Sequence, residues 1–270
     1  VTDSVSLVAR VVPPVRPGRR ARHILERNLL VYRRAWIIVF SGFVEPLFYL
    51  FSIGIGIGSL VGDLTGPGGE PVKYAAFVAP ALLASAAMNG AVLESTFNIF
   101  FKLKYGRIYE AILSTPVEPT DIAVGEIAWS LGRGALYAGG FLIVMASMGL
   151  MLSPWGILAL PAAILIGFAF GACGMAATTF MRSWEDFDYV TLVTMPLFLF
   201  SATFYPLDVY PPAFQAFTRL SPLYHGVEII RSLTLGVFDW SLAGHTGVLV
   251  AMGGVGVAIA SRRLGVLLRP

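Results

Sequence analysis

Charge is scarce in this sequence: Asp, Glu, Lys and Arg supply 13% of its 270 residues, while 56% are hydrophobic and the mean hydropathy is +0.75. Soluble domains carry about 25% charged residues, so the polar coat of a water-soluble globule is missing. Disorder, coiled coil and collagen each need high charge or a polar repeat, and the same figures exclude them. Cysteine is nearly absent. Cys173 stands alone, which rules out an intrachain disulfide, and no Cys/His cluster marks a zinc site; within its apolar run it reads as a small buried hydrophobe. Lysine is confined to Lys73, Lys102 and Lys104, the arginine-rich balance of a GC-rich bacterial genome. No stretch matches G-x-x-x-x-G-K-[ST], so a phosphate-cradling loop is lacking too.

Long apolar runs are what the chain has. A bilayer core needs about 20 mostly apolar residues per helix, and six stretches qualify, at about 36–60, 74–101, 122–152, 155–181, 189–205 and 242–260. The fifth is short and contains Pro196. This predicts an all-α polytopic membrane protein with a single transmembrane domain over 36–260, preceded by a flexible basic tail (1–21) and an amphipathic interfacial helix (22–35), and followed by a tail (261–270).

Basic residues set the orientation, because Lys and Arg near span ends stay cytoplasmic. The N-terminal segment carries Arg10, Arg16, Arg19, Arg20, Arg22, Arg27, Arg33 and Arg34; the loop after span two carries Lys102, Lys104 and Arg107; Arg182 follows span four, and Arg262, Arg263 and Arg269 lie in the tail. Lys73, Arg219 and Arg231 fall on the other side. Both termini are therefore expected in the cytoplasm. The net charge of +3 is then a match for anionic headgroups, worth about 1 kcal/mol per basic residue at the surface, and nucleic acid is not needed as a partner. Leu25, Leu29, Tyr32 and Trp36 recur at helical spacing with Arg22 and the other arginines on different faces, the pattern of a helix lying in the interface. No cleavable signal peptide is apparent.

Gly54, Gly58 and Gly62 form successive G-x-x-x-G steps in span one, and Gly167 and Gly171 repeat the pattern in span four; the spacing lets helix backbones approach closely. Glu45, Glu94 and Arg133 are charges inside spans, where each costs about 2.5–3.5 kcal/mol to insert. They read either as interhelical pairs or as carboxylates that carry protons. The stretch from Lys102 to Glu126 holds a short helical pattern with Ile108, Tyr109 and Ile112 facing one way, stopped by Pro116 and Pro119, with Asp121 placed to cap the next span. Such a helix suits docking in a groove of another protein or contact with lipid. Between spans five and six, Phe204, Tyr205, Tyr210, Phe214 and Phe217 are punctuated by Pro206, Pro211, Pro212 and Pro222, which fits two short helices dipping into the outer leaflet. His225, Glu228 and Arg231 lie three apart along one of them. His-x-x-Glu is half of a metal or acid/base site, without a visible second half, or a polar face that hydrogen-bonds its surroundings.

Several runs together resemble the permease subunit of type-2 ATP-binding-cassette exporters, in particular the branch of nodulation-factor (lipo-oligosaccharide) and daunorubicin-type drug exporters. They are Tyr32-Arg33-Arg34 to Trp36, Glu45-Pro46-Leu47-Phe48-Tyr49-Leu50-Phe51 through Gly58, Leu113-Ser114-Thr115-Pro116, and Phe204-Tyr205-Pro206-Leu207-Asp208 through Pro211-Pro212 to Leu220-Ser221-Pro222-Leu223-Tyr224-His225-Gly226-Val227-Glu228-Ile229-Ile230-Arg231. The resemblance implies six spans, an N-terminal interfacial helix, a coupling helix after span two and re-entrant outer helices. It implies a second permease, identical or paralogous, paired through spans one and five. Two separate ATPase subunits would bind ATP and Mg, so this chain needs no cofactor or metal and has no catalytic residue. By the same resemblance Gly106, Arg107, Ile108, Tyr109, Glu110, Ile112, Leu113 and Pro116 belong to the coupling helix, and Arg22 to Arg34 to its platform. A lipid-like, glycolipid or drug substrate and a bacterial inner-membrane location follow from it. Two other readings compete: a proton-coupled carrier using Glu45 and Glu94, and a membrane-embedded lipid-modifying enzyme using His225 and Glu228.

Overall fold

A computed structural model describes residues 20–32, 44, 47–66, 69–106 and 108–268. Arg33, Arg34, Glu45 and Arg107, with the N-terminal tail and the start of the first span, lie outside the described residues. The elements in chain order are α1 (Ala21–Tyr32), α2 (Leu47–Val61), a hairpin of β1 (Asp63–Thr65) and β2 (Pro71–Lys73), α3 (Tyr74–Tyr105), α4 (Ile108–Leu113), α5 (Pro119–Ser147), α6 (Pro154–Thr178), α7 (Phe187–Leu199), α8 (Pro212–Leu220), α9 (Pro222–Leu235) and α10 (Ser241–Leu268).

Among the described residues, α3, α5, α6 and α10 are long and apolar enough to cross a bilayer. The expected fifth span differs. It runs for 13 residues as α7, about 20 Å at 1.5 Å per residue against a hydrocarbon core of about 30 Å. The reason is local. Pro196 sits in the last turn, Phe200 leaves the helical region, and Ala202 takes a positive φ of 55°, so the chain turns inward and Ser201, Ala202 and Thr203 are buried. The Ser201 and Ser221 hydroxyls, 2.6 Å apart, tie that turn to the start of α9. At the other end of the chain, α10 continues through the expected tail. No breaker interrupts it, and Ala260 and Leu264, one turn apart, are buried on the same cluster as Ile24 and Tyr109.

The all-α expectation omits one feature, the two-stranded hairpin between α2 and α3, paired Asp63 to Lys73, Leu64 to Val72 and Thr65 to Pro71. Three-residue strands are too short to display alternation in the sequence. Gly62 does not continue the packing seam of α2; it ends the helix with φ 77°, a backbone conformation glycine adopts freely. Gly54 and Gly58 do face α3, at Ala75 and Tyr74.

The centre of the bundle is α6, which packs on α3, α5, α9 and α10. In lipid, helices associate through close contact rather than a hydrophobic drive. A Cβ at Gly256 of α10 would stand 2.7 Å from the Ala172 backbone, so that helix pair depends on glycine. The middle of α3 is widened into a π-turn at Glu94–Asn98, which disturbs the regular backbone ladder. Thr178 Oγ1 of α6 donates to the Ser95 carbonyl at 3.0 Å, giving that carbonyl an interhelical donor. Two core clusters result, one spanning the bundle together with α9 and a smaller one where α1, α3, α4, α5, α6 and α10 meet.

Candidate coupling site

The smaller cluster surrounds a buried carboxylate. Glu126 of α5 is 2% exposed, and three donor side chains, one from each of three other elements, converge on it. Lys102 Nζ at the end of α3 lies 2.9 Å from Oε1 and 2.8 Å from Oε2. Asn28 Nδ2 of α1 donates to Oε2 at 3.0 Å, and the Tyr109 hydroxyl of α4 donates to Oε1 at 3.2 Å. Lys102 also donates to Asn28 Oδ1 at 3.3 Å. An ion pair removed from water repays its desolvation only when the remaining lone pairs and protons are also satisfied, and here both carboxylate oxygens are. Burial, followed by the Glu126 charge, raises the Tyr109 hydroxyl well above its ordinary range. It stays protonated and acts as donor.

α1 enters through the face formed by Ala21, Ile24 and Asn28, all buried. It presses on α5 at Gly125, where a Cβ would lie 2.6 Å from the Ile24 Cβ. The face read from the sequence, Leu25 and Leu29, is turned away, and Leu29 is 61% exposed. The helix therefore has two working faces, one against α5 and one apolar face left open.

α4 is a single six-residue turn and a half, with the Gly106 N–H closing α3 on the Phe101 carbonyl at 2.9 Å. Tyr109 points inward, Glu110 outward, and Ile108 and Ile112 are half-buried. Ile108, Ala111 and Ile112 form one wall of a cavity of about 390 Å³ whose opposite wall is His23, Ile24 and Arg27 of α1. The Arg20 guanidinium donates to the Pro116 carbonyl, a tie between the start of α1 and the chain that follows α4. Past Pro116, Asp121 has a different capping role from the one expected: Glu118 is the N-cap of α5, and Asp121 accepts from its N–H at 3.1 Å, completing a capping box.

Deeper along the same two helices a second ion pair has the opposite polarity. Arg133 of α5 reaches Glu94 of α3, with Asn98 Nδ2 on the other Glu94 oxygen at 2.6 Å and the Tyr137 hydroxyl 3.0 Å from Arg133 Nη2. Glu94 and Arg133 are thus an interhelical pair.

Helices α8 and α9 begin at Pro212 and Pro222, each in the first turn where the missing N–H costs nothing. Pro206 and Pro211 precede a short turn and α8 respectively. Arg231 is 2% exposed; it donates to the Ala202 carbonyl at 2.7 Å, the Phe77 carbonyl at 3.4 Å and Glu228 Oε1 at 2.7 Å, and lies 3.9 Å above the Phe77 ring. His225 is not paired with Glu228. Its Nδ1 is 2.6 Å from Nδ1 of His245 on α10, a partner twenty residues away in the sequence. Among the described residues no group of three or more His, Cys, Asp or Glu is placed to hold a metal.

Sequence reading identified Tyr109 but not Asn28, Lys102 or Glu126 as its partners. The available signal was a Lys at the end of one span and a Glu near the start of the next, which brings opposite charges to similar depth in antiparallel helices.

Comparison with known proteins places the chain in a family. The family described as ABC-2 type transporter matches residues 19–235. Nodulation protein J of Rhizobium leguminosarum bv. trifolii is 34% identical over 84% of this chain and 85% of its own length. Nodulation protein J of Rhizobium meliloti (strain 1021) is 34% identical over 84% of this chain and 85% of its own. Inner membrane transport permease YadH of Escherichia coli (strain K12) is 27% identical over 85% and 88%.

Proposed function

The chain belongs to the ABC-2 type transporter family as a membrane permease, and from that premise we propose that it is the transmembrane subunit of an exporter powered by separate ATP-binding-cassette ATPases. ATP and Mg bind in those partners. Two ATPase subunits serve two permeases, a homodimer or a paralogous pair, in a bacterial inner membrane with both termini of this chain in the cytoplasm. The cargo is lipid-like, a glycolipid or a drug, taken from the cytoplasm or inner leaflet.

The carrying observation is the Tyr109–Glu126 hydrogen bond within the buried Lys102–Asn28 cluster. A short helix on a loop would move without consequence if it touched only lipid. Tied through Tyr109 to α1, α3 and α5, α4 passes a displacement to two spans. The cavity between α1 and α4 offers a socket for an apolar side chain of an ATPase, with Ile108 and Ile112 as its permease wall. Transmission of this kind requires that the partner contact α4 differently in its ATP-bound and ATP-free states.

Copurification tests the assembly: the masses of the associated chains identify an ATPase and fix permease stoichiometry. Ile108→Asp or Ile112→Asp is expected to insert normally, yet to abolish transport and stimulation of the partner ATPase. Transport with normal coupling in either variant removes α4 from the interface. The proton-coupled alternative predicts efflux from vesicles that depends on a proton gradient and persists without ATP; the Glu94–Arg133 pair speaks against it by giving Glu94 a structural partner.

A further inference from the structure

The helix α7 is fastened at its ends and free in its middle. At one end Trp184 and Phe187 stack into Phe97, Phe100 and Tyr105 of α3, with ring centroids 5.2 to 5.5 Å apart. At the other, Phe198 meets Tyr49 and Phe204, and the Tyr210 hydroxyl donates to the Leu199 carbonyl. No residue of α7 is fully buried. Leu192 and Met195 point away from the bundle, and the opposite side stops short of α3 and α6. The gap is a slot of about 670 Å³, walled by Val92, Cys173 and Ala177 on the bundle and by Val190, Val193 and Leu197 on α7. Cysteine and alanine of α6 make it deep.

Protein interiors pack as tightly as organic crystals, so a gap of this size within the bilayer is occupied by whatever surrounds it. Its length decides what fits. Its lining on this side runs from Asp186 to Leu197, a rise of about 17 Å at 1.5 Å per residue, close to half of a core about 30 Å thick, which is the reach of one acyl chain. Its mouth decides which lipid. Arg182 and Asp186 border the same slot. The Arg182 guanidinium forms no contact ion pair among the described residues. Asp186 receives the backbone N–H groups of Arg182 and Ser183 at 2.6 and 3.2 Å through one oxygen; these bonds hold its carboxyl below the ordinary range, leaving an anion with its second oxygen available. Glu185 and Asp188 stand beside it, so the mouth as a whole is not basic and does not favour an anionic headgroup.

We propose that the slot between α7 and the α3–α6 wall holds one acyl chain of a zwitterionic phospholipid, with the headgroup phosphate at Arg182 and its ammonium at Asp186. A charged carboxylate and a guanidinium at one opening match the two charges of such a headgroup. The inference needs only that these helices lie in a bilayer, and it stands apart from which chain supplies ATP hydrolysis.

The test uses the full permease with its copurifying chains, reconstituted in phosphatidylglycerol liposomes that contain a trace of phosphatidylethanolamine or phosphatidylglycerol with a photoactivatable group in the acyl chain. Adducts are mapped by peptide mass spectrometry. Phosphatidylethanolamine is expected to label Cys173, Ala177 and Val193 in preference to the lipid-facing Val255 of α10. Ala177→Phe fills the slot and should cut that labelling several-fold while Val255 labelling stays; Val193→Trp does the same from the α7 side should the first variant fail to assemble. Asp186→Asn should remove the preference for phosphatidylethanolamine over phosphatidylglycerol, while Arg182→Gln should weaken labelling by both lipids. Labelling spread evenly over lipid-facing positions, equal labelling by the two lipids, or chain-to-chain crosslinks from the slot, which would make a second copy its occupant, each overturns the proposal.

Discussion

Two buried charges, Glu126 near one end of the bundle and Arg231 near the other, are satisfied in contrasting ways. Glu126 is held by side chains of three separate elements, α1, α3 and α4. Arg231 is held mainly by the Ala202 and Phe77 carbonyls, with Glu228 one turn away on its own helix. A guanidinium bonded to backbone fixes the path of the chain it grips. A carboxylate shared by side chains on three helices links them to its own helix while leaving each backbone intact, so a push on one is felt by the others. The first arrangement suits a rigid cap, and the second suits the transmission proposed above.

Removing the shared carboxylate is the harshest test of that contrast. Glu126→Ala strands Lys102, Asn28 and Tyr109 together, and loss of one member of a buried pair costs about 3–5 kcal/mol; thermal unfolding in detergent should show the full drop. A stability near wild type would mean that water already enters the cluster and that it transmits nothing. Arg231→Lys is the next largest, because an ammonium cannot serve Ala202, Phe77 and Glu228 from one planar fork. A loss of about 1.5–3 kcal/mol is expected, the range for a charged hydrogen bond, with the remaining folded protein still coupled to its ATPase. Uncoupling without destabilisation in that variant would erase the distinction between cap and transmission.

Tyr109→Phe sharpens the contrast at lower cost. It removes one of the donors to Glu126 and should destabilise by about 1 kcal/mol, while the ratio of substrate moved to ATP hydrolysed falls. An unchanged ratio would assign Tyr109 to packing alone. The smallest effect belongs to His225 and His245. Burial, then neighbouring His245, holds the His225 imidazole below its ordinary value of 6.5, and the Nδ1 contact allows one shared proton. Since the folded-state value is the lower one, the unfolded chain protonates first on acidification. The stabilisation is therefore complete above about pH 6.5 and is lost as pH falls from there to the folded-state value. Melting curves between pH 7 and 5 should show this slope in the wild type and a flatter one in His225→Gln; identical slopes would mean that the pair contributes nothing.

Much of the architecture is written in local patterns. Apolar run length marks α3, α5, α6 and α10, because a bilayer admits few alternatives. Pro212 and Pro222 mark α8 and α9, and Pro116 and Pro119 the end of the α4 segment. The candidate site is less legible. Asn28 carries no sequence signal, lying among arginines on a helix whose visible apolar stripe faces the other way. Lys102 resembles any loop lysine that sets orientation. His225 lacks a visible partner until α10 folds back with His245, and the acceptors of Arg231 are backbone carbonyls, which every residue has. α7 also escaped, since its hydrophobicity continues to Tyr205 while its helix stops at Leu199.

The sequence by itself determined that this chain dwells in a membrane, where its four long apolar helices begin, and which transporter family it resembles, since hydropathy, proline position and motif spacing are one-dimensional properties. Only the tertiary structure decided which charges compensate which. Glu94 pairs with Arg133 and Glu126 with Lys102 because antiparallel packing of α3 and α5 sets their relative depth, and the energy of a buried charge depends on what lies within a few ångströms in space rather than along the chain.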